Sequence, residues 1–230
     1  MYNTQTQAAI LTRSALMIAF TAVCSWISIP IPGTSVPINL ATFAVILAGL
    51  VLGPKDGALA ILAFLALGAC GLPVFHSFTG GMGIVFGPTG GFLIGYVLLA
   101  FLAGLGGQGS FQQGYHSASA KRELQGSEGT ALHSGQPSSL QHEQPGKPLH
   151  PEQPESRTRN TLYGNHLRYA LFVLLGEIAL YALGCAWFIA QAGSNLETAL
   201  LSCVLPFIPG DIAKIILAYI AAGKLRKIAF

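Results

Sequence analysis

Between residues 8 and 106 the only Lys, Arg, Asp, Glu or His side chains are Arg13, Lys55, Asp56 and His76. A surface so poor in charge gains nothing from water and is matched by the interior of a bilayer. Over the whole chain only 9% of residues are charged, against about 25% in a soluble domain. The formal charge of +3 is too small to suggest nucleic acid as a partner; a lipid bilayer is the expected one.

A spanning helix needs about 20 mostly apolar residues. Six segments meet that need with help from their flanks: 8–29, 38–53, 56–72, 88–106, 167–191 and 197–223. The first is too long for the core of a signal peptide and is followed by further spans, so it reads as a retained helix. Gly53–Pro54–Lys55–Asp56 is a tight turn that makes a hairpin of the second and third spans. Cys24, Cys70, Cys185 and Cys203 stand singly in apolar surroundings and read as buried free thiols rather than a metal site or a disulfide framework.

Two segments break the pattern. Residues 71–91, GLPVFHSFTGGMGIVFGPTGG, are apolar yet crowded with Gly and Pro, which makes a continuous helix unfavourable. Irregular backbone at membrane depth must be covered by protein or line a wet cavity, so 73–87 is a candidate outer substrate lid; the plainer reading is a surface connection. Residues 107–166 are rich in Gln, Ser, Gly, Pro and His and poor in large apolar residues. Such a stretch cannot offset its ordering entropy by burial, which predicts a disordered polar insert. His116, His133, His142, His150 and His166 lie in it at separations that fit no compact metal motif.

Charge sets the expected orientation. With both termini inside, the outer loops are 30–37, 73–87 and 192–196, and none contains Lys or Arg. Of the 12 basic residues, all but Lys214 fall on the inner side, as the positive-inside rule requires. The domains are then 1–106 with spans one to four and the lid, the insert 107–166, and 167–230 with spans five and six.

Lys214 lies in the last apolar segment, three residues after Asp211, in LPFIPGDIAK. Pro206, Pro209 and Gly210 predict an interruption there, with Asp211 as an N-cap or first-turn acid at the restart. Positions i and i+3 share a helix face. Charges at that depth are costly and mark pathways or internal pairs. The pair offers one acceptor and one cation to a ligand with a donor and an anion, or else simply offsets its own burial. Glu177 is the other charge at membrane depth, with Tyr181 one turn on; a structural role, a place behind the binding residues, or a proton relay all fit it. Pro30, Pro32 and Pro37 extend the first outer loop and bring Asn39 and Thr42 to the mouth of the second span. His76 and Ser77 are the polar candidates of the lid. Ala15 and Ala19 form a small-xxx-small pair suited to close helix approach.

Three separated motifs carry a resemblance: GLPVF, GG-x-G and GPTGGF-x-x-GY within 71–96; LPFIPGDIAK at 205–214; and ISIPIP-x(4)-VPIN-L at 27–40. Taken in their order along the chain, they resemble the BioY family, the biotin-binding S components of energy-coupling factor (ECF) transporters. The resemblance implies an all-α membrane protein, a compact bundle of six transmembrane helices. It implies a binding and translocation subunit of a vitamin importer in the bacterial cell membrane rather than an enzyme, with both termini cytoplasmic. The implied partners are biotin, a transmembrane coupling subunit and two ATPase subunits; no cofactor is implied, and ATP is used only by the partners. Asp211 and Lys214 match the family's biotin-pocket residues, with Tyr181, Ser77, His76 and Asn39 as further candidates. Ala15 and Ala19 match the alanine motif that engages the coupling subunit. Asn39 and Ala41 depart from the Thr and Gln usual in relatives. The chain has no G-x-x-x-x-G-K-[ST] pattern, so ATP hydrolysis must come from another chain. A self-sufficient carrier, proton-coupled through Glu177, is the alternative.

Overall fold

The computed structural model describes residues 4–30, 37–107 and 155–228. The chain starts with helix α1 (Thr4–Trp26), followed by strands β1 (Ser28–Ile29) and β2 (Ile38–Asn39). They pair antiparallel, Ser28 opposite Asn39 and Ile29 opposite Ile38. Pro30 and Pro37 bound this short ladder where a missing N–H costs no sheet bond.

Helices α2 (Ala41–Leu52) and α3 (Pro54–Ala69) form the expected hairpin. The turn is tighter than its sequence suggests. Gly53 alone links the helices, with φ +89°, and Pro54, whose φ is preset for a first helical position, starts α3. Lys55 and Asp56 therefore lie in the first turn of α3 rather than in a loop. Helix α2 is apolar on every side, and nearly all of it is buried against α1, α3 and α8, as such a helix requires. Its 12 residues reach about 18 Å, short of the roughly 30 Å of a hydrocarbon core.

After α3, the lid segment carries a 3-10 turn (His76–Phe78) and a single helical turn, α4 (Met82–Val85). Phe75 anchors it: the ring is 1% exposed and meets Phe64 edge-on at 5.6 Å. Helix α5 (Gly90–Gly107) follows, then α6 (Glu155–Ala192), α7 (Leu196–Cys203) and α8 (Ile208–Ile228). Helix α6 begins at Glu155, so residues 155–166 are helical rather than disordered. Adding residues to a helix already nucleated by its apolar part costs far less than starting one. The rest of the predicted insert, including His116, His133, His142 and His150, lies outside the described residues.

Helices α5 and Leu167–Ala192 of α6 are each long and apolar enough to cross a membrane, and α7 with α8 forms a third such unit bent by 48°. The break falls at residues 204–207 and takes in Pro206, as expected, but not Pro209 or Gly210. Pro209 and Gly210 sit inside the first turn of α8, where no N–H is needed for an intrahelical bond. Asp211 donates its own N–H to Phe207 O at 2.9 Å, so it is a first-turn acid and not the N-cap. Cys24, Cys185 and Cys203 are buried as expected, whereas Cys70, at the end of α3, is exposed. Leu16, Val23, Leu62, Leu174, Ile178, Ile212 and Leu217 are among many large apolar side chains left exposed. A belt of this extent is lipid-facing surface, and the molecule is an all-α membrane protein.

Candidate functional site

A pocket opens where α2, α5, α6 and α8 meet beneath the lid. Its polar lining comes from Asn39, Thr42, His76, Thr89, Tyr96, Tyr181, Asp211 and Lys214, and its apolar lining from Pro37, Phe92, Leu93, Leu180 and Phe207. The free space is about 50 Å³, far below the roughly 300–1,000 Å³ of ligand-filled pockets. A ligand larger than a few waters must part these side chains.

Asp211 is the hub. Its Oδ1 accepts from Lys214 Nζ at 2.7 Å and from Thr42 Oγ1 at 3.4 Å; its Oδ2 accepts from the Tyr181 hydroxyl. Three helices thus converge on one carboxylate: α2 through Thr42, α6 through Tyr181 and α8 itself. The carboxylate and the ammonium are buried at 5% and 7% exposure, and these bonds offset their desolvation. Across the pocket Asn39 Oδ1 accepts from Ala41 N at 3.1 Å and from Tyr96 Oη at 3.4 Å, so α5 takes part as well.

The lid brings in His76, whose partial burial holds its imidazole below the ordinary 6.5 and therefore neutral at pH 7. Ser77 does not join. Its backbone is left-handed, at φ 54° and ψ 34°, and its hydroxyl lies 3.4 Å from Ser28 Oγ instead. Phe78, also left-handed at φ 58°, stacks on Trp26 at 4.7 Å between ring centroids.

Of the sequence candidates, Asp211, Lys214, Tyr181, His76 and Asn39 come together here. Thr89 and Tyr96 were not singled out. Tyr96 lies one helical turn after Phe92, with Leu93 beside it, and that stripe on α5 was the available signal. Thr42 was placed at the mouth and proves to touch Asp211. Ala15 and Ala19 are exposed on α1 and do not line this pocket; Ala15 lines a shallow groove with Leu59, Ala60 and Ala63 of α3.

Comparison with known proteins agrees with this architecture. Residues 2–127 and 148–229 match the BioY family. A probable biotin transporter BioY of Pyrococcus horikoshii is 52% identical over 40% of this chain and 56% of its own length. The biotin transporter BioY of Thermotoga maritima is 46% identical over 41% of this chain and 55% of its own length. These two matches span little more than half of each relative. One from Lactococcus lactis reaches further, 29% identical over 94% of this chain and 90% of that one. The crystal structure of the S-component for biotin from an ECF-type ABC transporter superposes with a TM-score of 0.66, at 30% identity, covering 99% of this chain and 95% of that one. With the family matched over both apolar blocks and this fold shared from end to end, the chain belongs to the BioY family.

Proposed function

We propose that this chain captures biotin from the outer side of a bacterial cell membrane and passes it inward as the substrate-binding subunit of an ECF-type importer. The observation that carries the reading is the Asp211–Lys214 pair: an acid and an amine, buried at the mouth of one pocket and 2.7 Å apart. Biotin presents two ureido N–H donors, an apolar bicycle and a carboxylate tail. Asp211 accepts from the ureido group, Lys214 takes the tail, and Phe92, Leu93, Leu180 and Phe207 cover the rings. The names of the relatives support this choice of ligand.

Orientation follows from charge. Gly104 sits against Pro54 and Gly106 against Tyr169, so Lys55 and Arg168 share the end of the bundle opposite the lid. With that end cytoplasmic, the lid and pocket face outward. Energy comes from two ATPase subunits and a coupling subunit, which docks on α1 around Ala15 and Ala19, where small side chains admit another helix. A carrier that works without partners is the competing reading, and biotin uptake by vesicles containing this chain alone would favour it.

Mass spectrometry of the small molecule that co-purifies with the protein in detergent tests the ligand. Biotin is the expected species; a different carboxylate, retained in its place, overturns the assignment.

A further inference from the structure

Three charge-bearing side chains are buried among the described residues: Glu177, Asp211 and Lys214. Their hydrogen bonding is uneven. Asp211 has three partners. Lys214 spends one of the three N–H donors of an ammonium on Asp211. Glu177 is 4% exposed, and neither of its oxygens has a hydrogen-bond partner.

Register places the unpartnered acid. Tyr181 on α6 meets Asp211 on α8, while Tyr169 on α6 reaches Ile215 O and packs against Tyr219 further along α8. The two helices therefore run antiparallel. One turn from the Tyr181–Asp211 contact, on the side away from the lid, lie Glu177 on α6 and Lys214 on α8. They occupy the same level, and Glu177 feels the charges of both Lys214 and Asp211. The site holds two acids and one cation.

We propose that Glu177 and the carboxylate of the ligand compete for the single Lys214 ammonium, so that the anionic ligand binds together with a proton on Glu177. The inference rests on the reading of Asp211 and Lys214 as the biotin site. With Glu177 ionised, an incoming carboxylate is the third negative group around one cation, in surroundings that screen poorly. With Glu177 protonated, the unspent donors of Lys214 are free for the ligand. The proton comes from solvent and returns to it on release. Glu177 acts as a specificity-determining residue that sets how strongly the pocket prefers a charged tail.

The titratable groups around Glu177 are Asp211 and Lys214 from α8, Tyr169 and Tyr181 from its own helix, and Tyr96 from α5. His76, at the lid, is neutral above its ordinary 6.5. Of the two acids, Glu177 alone has no hydrogen-bond partner.

The test compares affinity for biotin and for uncharged biotin amide between about pH 6.5 and 9, using the full chain in detergent, wild type and Glu177→Gln. In the wild type the preference for the acid over the amide falls by at least about fivefold as pH rises; in E177Q it stays level. Calorimetry of the wild type in two buffers of different ionisation enthalpy gives a second reading that needs no variant: proton uptake with biotin and none with the amide. Biotin binding with a level wild-type preference and no proton uptake overturns the competition alone. Failure of the wild type to bind either compound overturns the biotin reading and this inference with it.

Discussion

Trp26 and Trp187, the two tryptophans of the chain, hold opposite ends of the same glycine-rich segment. Trp26 Nε1 donates to Pro73 O at 2.8 Å and Trp187 Nε1 donates to Gly87 O at 2.9 Å. The segment between them covers the pocket with His76 and is pinned from below by Phe75. Indole side chains suit this place, with an apolar body in the bundle and one donor at the wet boundary.

Trp26→Ala removes both the bond to Pro73 and the stack on Phe78. Biotin dissociation is expected to quicken by roughly five- to thirtyfold, since one hydrogen bond and one aromatic contact are worth about 1–2 kcal/mol together. Rapid-mixing release of labelled biotin measures it; an unchanged rate means that the segment does not gate exit.

Tyr181→Phe deletes one donor to Asp211 and leaves the ring in place. Leaving a buried acceptor short of a partner costs roughly 1–2 kcal/mol, about five- to thirtyfold in affinity. Equilibrium binding checks it, with circular dichroism to confirm the fold.

Helix α2 passes α5 at Gly49, where an added Cβ would lie 2.2 Å from Ala100 O. Backbone cannot yield as a flexible side chain can, so Gly49→Ala must push the helices apart. A loss of about 1–3 kcal/mol is expected, visible as a lower melting temperature of the detergent-solubilised protein.

His76 gives the fold a pH dependence of known sign. Burial lowers its folded value below 6.5, so the unfolded chain takes up a proton first as pH falls. Its contribution is fully present above pH 6.5 and is lost as pH drops through 6.5 towards the folded value. Between about pH 7.5 and 5 the melting temperature of the wild type should fall further than that of His76→Gln; equal falls contradict this.

What could be read from sequence was whatever membrane depth makes expensive. Asp211, Lys214 and Glu177 stood out because a charge in an apolar span needs a reason, and the spacing to Tyr181 followed from helix period. Gly53–Pro54 marked the hairpin for the same kind of reason. Uncharged polar residues were harder: Thr89, in the turn before α5, and Tyr96, within it, are unremarkable until the fold brings both to the pocket and Asn39 to Tyr96. Ser77 was misplaced because its direction depends on a left-handed backbone that a non-glycine residue rarely adopts. The break before α8 takes in Pro206 as read but ends short of Pro209, which is as much at home in a first helical turn as in a loop.

The proposed biotin site stands or falls with Asp211. Titration of biotin into the detergent-purified chain, wild type and Asp211→Ala, measures it most directly. Saturable one-to-one binding weakened at least about tenfold by the substitution is expected, because a charge-assisted bond and its buried partners are lost together. Equal affinity in the two proteins would contradict it.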